Sequence, residues 1–227
     1  MLPLSIRSSL TDRVYEAILD DICNGAIEAG THLVQEQIAS RLDVSRQPVQ
    51  QAMALLKADG VLAEVGRRGL QVTPLNLDLM RHHYDIRAAL DGLAARLAAV
   101  EARSGANGVR AAGETILRAG NAAVAAGDIA GQVRQDAAFH RLIYDASQNP
   151  LLAAAAEPHW RFLRRAMSQV LRHAQTPETI WRQHADILGA VIDGDAEAAS
   201  RKAVDHCLSA AAGLEQALAN SVHGRTA

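Results

Sequence analysis

Apolar residues recur at helical spacing over most of the chain, and only one short stretch departs from that rhythm. Within residues 33–73, Ile38, Ala39 and Leu42 give a short helix one apolar face, and Asp43-Val44 makes a tight turn. Val49, Ala52, Met53 and Leu56 repeat through a second helix whose other side carries Arg46, Gln47, Gln50 and Gln51. Ser45 stands where an N-cap belongs, with a hydroxyl suited to accept an orphan backbone N–H. Pro48 falls in the first turn, where a missing N–H costs little. Gly60 stops this helix, and residues 61–65 and 70–73 predict two strands paired across Gly66-Arg67-Arg68-Gly69. Upstream, Thr11 is placed to cap a helix over about 12–24, with Val14, Ile18 and Ile22 inward and Gly25 as its stop. Residues 1–9 read as a flexible arm.

Thr73-Pro74-Leu75-Asn76 is a natural boundary, and no strand pattern returns after it. A helix over 77–103 has Met80, Tyr84, Leu90, Leu93 and Leu97 among its apolar positions, and an Ala-rich helix follows to about 126. Further helices are predicted over 128–147, 150–173, 177–193 and 195–219, separated by Asn149-Pro150, Thr176-Pro177 and Gly194-Asp195. Pro158 is expected to kink or divide its helix, and residues 220–227 to fray. The predicted fold is mainly α. Residues 1–74 form a winged helix-turn-helix with a small two-stranded wing, and 75–227 form an all-α antiparallel bundle of six or seven helices.

Composition narrows this picture. A length of 227 residues suits two modest domains, and 49% apolar residues with only 3% aromatics imply a core of Ala, Leu, Val and Ile. No run approaches the ~18 apolar residues of a membrane span, and the N-terminus lacks a signal-peptide core, so a cytoplasmic protein with no membrane partner is expected. Cys23 and Cys207 have no metal or redox spacing and read as reduced core residues. The net charge is −2, and residues 1–74 hold seven Lys+Arg against nine Asp+Glu. Any nucleic-acid face must therefore segregate its cations: Arg7, Arg46, Arg67 and Arg68. That balance argues against tight non-specific DNA binding and leaves specific binding by a dimer open.

Arg and Gln can make paired hydrogen bonds to guanine and adenine edges in the major groove, and two arginines at a ribbon tip suit phosphate contact. The same face could also be an ordinary polar surface. The run VSRQPVQQAMALLKADG followed by GRRG, however, resembles the winged helix-turn-helix of the GntR family of bacterial repressors. That resemblance implies operator DNA, near-palindromic and bound by a homodimer, as the partner. Ser45, Arg46, Gln47 and Gln50 then lie on the reading helix, and Arg67, Arg68 and Gly69 on the wing. Gln50 stands where the family usually carries a second arginine, which removes a cation from the DNA face.

In the C-terminal half, Asp136 and His140 lie four residues apart on the apolar face of one helix, His184 sits within the stripe Ile180, Trp181, Ile187, Leu188, Val191, and His206 shares a side with Ala199, Ala203, Ala210 and Gly213. Buried ionisable groups need partners. Periodicity leaves three outcomes open: a divalent metal site, a hydrogen-bonded Asp–His cluster, or histidines that never meet. This half is similar to the FCD domain of the FadR subfamily of GntR regulators, through Asp136-Ala-Ala-Phe-His140, Asn149-Pro150-Leu151, His184-Ala-Asp-Ile-Leu, Gly194-Asp195 and His206. The resemblance implies a metal held by Asp136, His140, His184 and His206, with zinc foremost and nickel, manganese or iron as alternatives. It also implies a small carboxylate-containing metabolite as effector. The family's R-x-x-L-E appears as Arg87-Ala-Ala-Leu90-Asp91, which makes Arg87 the residue to grip that carboxylate; an ion pair between Arg87 and Asp91 is the competing role. His82, His83, Arg134, Arg161, Arg164 and Arg165 could flank such a pocket. Two rivals remain at this stage, a regulator that senses the metal itself and a metal-dependent hydrolase.

Overall fold

The structure is a computed structural model that describes residues 9–23, 25–66, 69–103, 108–170 and 177–223. The arm at 1–8 and the wing-tip arginines Arg67 and Arg68 lie outside the described residues. Contacts divide the chain into two units, Met1–Leu75 and Asn76–Ala227. Among the described residues, no helix is long and apolar enough to cross a membrane.

The first unit holds helix α1 (Leu10–Cys23), strand β1 (His32–Leu33), helices α2 (Gln35–Leu42) and α3 (Arg46–Ala58), and strands β2 (Leu62–Val65) and β3 (Gly69–Val72). Helix α1 begins earlier than expected because Ser9, not Thr11, caps it. The Ser9 hydroxyl accepts from Asp12 N at 3.1 Å while the Asp12 carboxylate accepts from Ser9 N at 2.8 Å, a reciprocal box that satisfies two orphan donors. Thr11 instead donates to Gln51 Oε1 at 2.7 Å, tying α1 to α3. Val14, Ile18, Leu19 and Ile22 pack with Val49, Met53, Leu56, Val61 and Val72 in one core. The sheet is antiparallel in the order β1-β3-β2, so the expected two-stranded wing gains a third strand, with His32 opposite Gln71. The turn between α2 and α3 places Asp43 in the left-handed region, at φ 52°.

The second unit is built from six helices among the described residues: α4 (Leu77–Arg103), α5 (Gly108–Ala125), α6 (Ile129–Ala146), α7 (Pro150–Val170), α8 (Pro177–Ile192) and α9 (Ala196–His223). Helix α4 is the centre of this bundle and packs against α6, α7, α8 and α9. Asp128 caps α6 by accepting from Gly131 N at 2.8 Å. Helix α7 runs undivided through Pro158, because Leu152, Ala156, Trp160, Phe162 and Leu163 are buried on both sides of it and hold its register. Helix α9 likewise continues past residue 219, to His223. Both cysteines are buried thiols.

Small residues let α5 lie close to α8. A Cβ added at Gly120 would come within 2.1 Å of the Trp181 ring. Gly120→Ala should therefore destabilise the bundle by about 1–3 kcal/mol through overpacking. Chemical denaturation followed by circular dichroism reads this out, and an unchanged midpoint would mean that α5 and α8 are not packed so tightly.

A DNA-reading face and a candidate metal centre

Helix α3 turns Pro48, Val49, Ala52, Met53 and Leu56 into the core. Helical periodicity then leaves Ser45, Arg46, Gln47 and Gln50 exposed on the opposite side. Ser45 has the extended backbone of an N-cap, φ −69° and ψ 163°, yet its hydroxyl makes no capping bond. Pro48 occupies the third helical position and has no N–H to offer, which removes one of the two donors such a cap can use. The Arg46 guanidinium forms an ion pair with Glu36 of α2, with both side chains largely exposed. Gln51 is held by Thr11 and so is less free than its neighbours. At the wing, Gly69 opens β3 opposite Val65, where a Cβ would sit 3.0 Å from the Val65 carbonyl oxygen.

In the helical unit, α6, α8 and α9 bring Asp136, His140, His184 and His206 to one buried point. One ligand atom from each lies within 4.8 Å of the others. His184 Nε2 is 3.2 Å from His206 Nε2 and 3.3 Å from Asp136 Oδ1, and His140 Nε2 is 3.9 Å from the same oxygen. Both Asp136 oxygens and His184 Nδ1 are buried without a hydrogen bond of acceptable geometry. Donors at about 2.0–2.1 Å from a tetrahedral zinc stand roughly 3.4 Å apart, so the widest pairs of this set would close by on the order of 1 Å around one ion. The donor chemistry, three imidazoles and a carboxylate, and the orphaned carboxylate fit a divalent metal.

A second layer surrounds these donors. His140 Nδ1 lies 3.1 Å from Asp91 Oδ2, and that oxygen also accepts from Arg87 Nε at 3.1 Å and Cys207 Sγ at 3.0 Å. Tyr144 OH donates to the other Asp91 oxygen. His206 Nδ1 meets Gln183 Oε1 at 3.0 Å, which leaves its Nε2 facing the cluster. Arg87 lies 1% exposed, with its guanidinium carbon 3.8 Å above the Trp160 ring and Nη2 2.7 Å from His140 Nε2. The ion pair with Asp91 thus forms, but inside the bundle and shared with His140, where it is no ordinary surface pair. Arg87 Nη1 and the Tyr84 hydroxyl, both buried, make no hydrogen bond.

The family model of the FCD domain matches residues 82–209, and that of bacterial regulatory proteins of the gntR family matches residues 10–72. The chain belongs to the GntR family, with an FCD C-terminal domain. YdhC of Bacillus subtilis, an uncharacterized HTH-type transcriptional regulator, is 30% identical to this GntR protein over 194 residues, covering 85% of each chain. The HTH-type transcriptional repressor RspR of Escherichia coli is 25% identical over 197 residues, 87% of this chain and 85% of its own. Among solved structures, E. coli McbR/YncC shares the fold, with a TM-score of 0.79 at 21% identity over 92% of this chain and 99% of its own. These families and relatives are transcriptional regulators and not enzymes, which removes the hydrolase rival. The chain is a DNA-binding transcriptional regulator.

Electrostatics in this GntR protein follow from burial. Burial pushes the His184 pKa down, opposed by Asp136, and burial together with His184 and His140 pushes His206 well down, so both are neutral and keep lone pairs near pH 7. Burial also lowers His83 to about 4, helped by His159, whose Nδ1 lies 2.9 Å from that of His83. Burial works against the Asp91 and Asp136 charges. His140 and Arg87 nevertheless hold Asp91 far below the usual carboxylate range, and His184 and His140 do the same for Asp136.

The unfolded chain takes up protons on these three histidines below about pH 6.5 while the folded chain does not, so stability rises with pH across that window. The metal-free protein should keep a constant melting temperature from pH 8 to 7 and lose stability from about 6.5 towards 4. Melts in chelator at three pH values check this, and stabilisation on acidification would contradict it.

Several groups in this site escape sequence reasoning. Tyr144 follows His140 by four residues and Cys207 adjoins His206, but a tyrosine and a cysteine on an apolar face read as plain core. Trp160 and Tyr84 hide in the same way. Arg165, only a possible flank from the sequence, is 1% exposed. Arg134 lies at the surface and pairs with Asp128.

Proposed function

We propose that this regulator is a repressor of the FadR subfamily, acting as a two-fold dimer on a near-palindromic operator under the control of a small carboxylate-containing metabolite. Arg46, Gln47 and Gln50 would read base edges in the major groove, and Ser45, whose hydroxyl has no capping duty, would contact phosphate. Arg67, Arg68 and the Gly69 backbone would set the register from the wing. Repression is supported by the name of the E. coli relative, a transcriptional repressor. Gln50 in place of the usual arginine would redirect operator choice more than abolish binding, because glutamine pairs with adenine where arginine pairs with guanine.

Asp136, His140, His184 and His206 would hold one divalent ion, zinc foremost, with nickel, manganese or iron as alternatives. The observation that carries this reading is the buried Asp136 carboxylate, whose oxygens lack hydrogen bonds while three imidazoles face it. The ion would supply a Lewis-acidic position for one carboxylate oxygen of the effector. Arg87 would hold the effector's other oxygen through its guanidinium, and Asp91 would fix both Arg87 and the His140 ring. The effector would move the dimer between two geometries only as far as it binds one more tightly than the other.

Dimerisation is supported by α4. Leu79, Ile86 and Val100 are exposed, Leu93 is half-buried, and the four recur at seven-residue intervals with Leu90 and Leu97 between them. A second copy of this chain would cover that stripe, since a two-fold axis lets one face serve both partners. Ile86→Glu should therefore yield a monomer with much weakened operator binding.

Fluorescence anisotropy with the gene's own upstream DNA, against a scrambled duplex at two salt concentrations, tests operator recognition. Saturable preference for the upstream duplex supports it, and equal weak binding to both counts against it.

A further inference from the structure

The contact between Arg87 and His140 has a consequence for the order of binding. Arg87 Nη2 can only donate, so its 2.7 Å approach assigns the in-plane lone pair to His140 Nε2 and leaves the ring proton on Nδ1, which lies 3.1 Å from Asp91 Oδ2. A protonated Nε2 would set two donors against each other across the 2.7 Å to Arg87 Nη2. Nε2 is also the His140 atom that faces Asp136. A metal on this imidazole would need that same lone pair, at about 2.0–2.1 Å. Nη2 already stands on it. The guanidinium and an ion therefore exclude each other at His140.

We propose that Arg87 is a latch: it closes the metal site by occupying His140 Nε2, and its displacement by the ion assembles the effector's carboxylate site. This rests on the metal-and-carboxylate reading above and adds an obligatory order to it. In the closed state the fork has Nε on Asp91 and Nη2 on His140, leaving Nη1 alone unpaired. Once Nη2 lets go, two adjacent N–H groups face outward from the guanidinium, which is the arrangement that grips a carboxylate through two parallel bonds. The released cation would lie beside a divalent ion, a repulsion that an arriving anion relieves. Metal and acid therefore bind with positive cooperativity, and each raises the affinity of the other by the same factor.

The test uses cobalt(II) as a coloured probe, titrated into the chelated full-length protein in competition with a calibrated chelator, with acetate as the minimal carboxylate. Arg87→Met keeps the apolar stem over Trp160 and removes the fork. It should bind cobalt roughly ten-fold more tightly than the unaltered chain, because no charged hydrogen bond has to be broken first. Acetate should tighten cobalt binding in the unaltered chain and do much less in Arg87→Met. A crystal structure of the cobalt-loaded chain should place Arg87 Nη2 beyond hydrogen-bond distance of His140 Nε2. Equal or weaker cobalt affinity in Arg87→Met overturns the latch, as does an ion held by Asp136, His184 and His206 with Arg87 still on His140. Cobalt that gives no ligand-field band, or one that survives His184→Ala unchanged, defeats the metal reading itself and the latch with it.

Discussion

Replacing Arg46 by alanine is expected to weaken operator binding by at least roughly 30-fold, because a bidentate base contact contributes about 1–3 kcal/mol of discrimination and a dimer loses two of them. The substitution should leave folding alone. Arg46 lies on the solvent side of α3, and its pairing with Glu36 involves two largely exposed side chains, an interaction of the order of 0–1 kcal/mol. Anisotropy and thermal melting together separate the two effects. Lost affinity at an unchanged melting temperature fits a reading role, and unchanged affinity removes Arg46 from the DNA face. Glu36 adds a refinement: with a neutral glutamine there, Arg46 would no longer have to exchange a partner before it meets DNA.

The second large effect belongs to the bundle. Zinc added to the chelated protein at about a thousand times its dissociation constant should contribute about 4 kcal/mol, since it binds the folded chain and scarcely the unfolded one. For a chain of this size that corresponds to roughly 8–16 °C in melting temperature. The shift should vanish in Asp136→Ala, which deletes the only carboxylate of the donor set. A melting temperature indifferent to zinc, or an equal shift in Asp136→Ala, would mean that the four side chains form a hydrogen-bonded cluster and no more. The pH behaviour of the metal-free chain gives an independent view of the same residues, because His184 and His206 resist protonation through burial whether or not an ion is present.

Much of the fold is legible because the chain is punctuated. Gly127-Asp128, Asn149-Pro150 and Gly194-Asp195 break the helical rhythm at places where backbone geometry forbids a helix to continue, and α6, α7 and α9 start at or just after them. Strand β1 was not legible. It is two residues long, and its pairing of His32 with Gln71 is a tertiary event that no local pattern announces. The start of α1 turned on Ser9 and Asp12, a reciprocal cap spread over four residues, whereas Thr11 alone looked sufficient.

The inward face of α4 is the most instructive difference. Met80 and Tyr84 are buried as the pattern suggests, yet Leu90, Leu93 and Leu97 are only half-buried, and the other buried positions are Ala88, Gly92, Ala94, Ala95, Ala98 and Ala99 together with Arg87 and Asp91. Close packing against α9 selects small side chains, and the leucines move to the margin of that contact. Periodicity identifies apolar stripes; it does not say which of two stripes on one helix turns inward. The same ambiguity affects α9, where the buried line passes from His206 to Cys207 and Leu214 while Gly213 is exposed.

The donors Asp136, His140, His184 and His206 could be named from the sequence because each interrupts an apolar stripe with an ionisable group. Their convergence is implied by the family resemblance and could not be read from periodicity, since it depends on how α6, α8 and α9 are rotated about their axes. Nor could the Arg87–His140 contact, which joins helices that periodicity treats separately.

Whether this cluster is a metal centre decides how the C-terminal domain works. Zinc-edge X-ray absorption on the zinc-reconstituted, extensively dialysed full-length protein, with metal content measured on the same sample, tests it directly. The expected result is one zinc per chain, bound by three imidazole nitrogens at about 2.0–2.1 Å and at least one oxygen. A chain that retains no zinc after dialysis, or zinc whose scattering shows no imidazole, would contradict it.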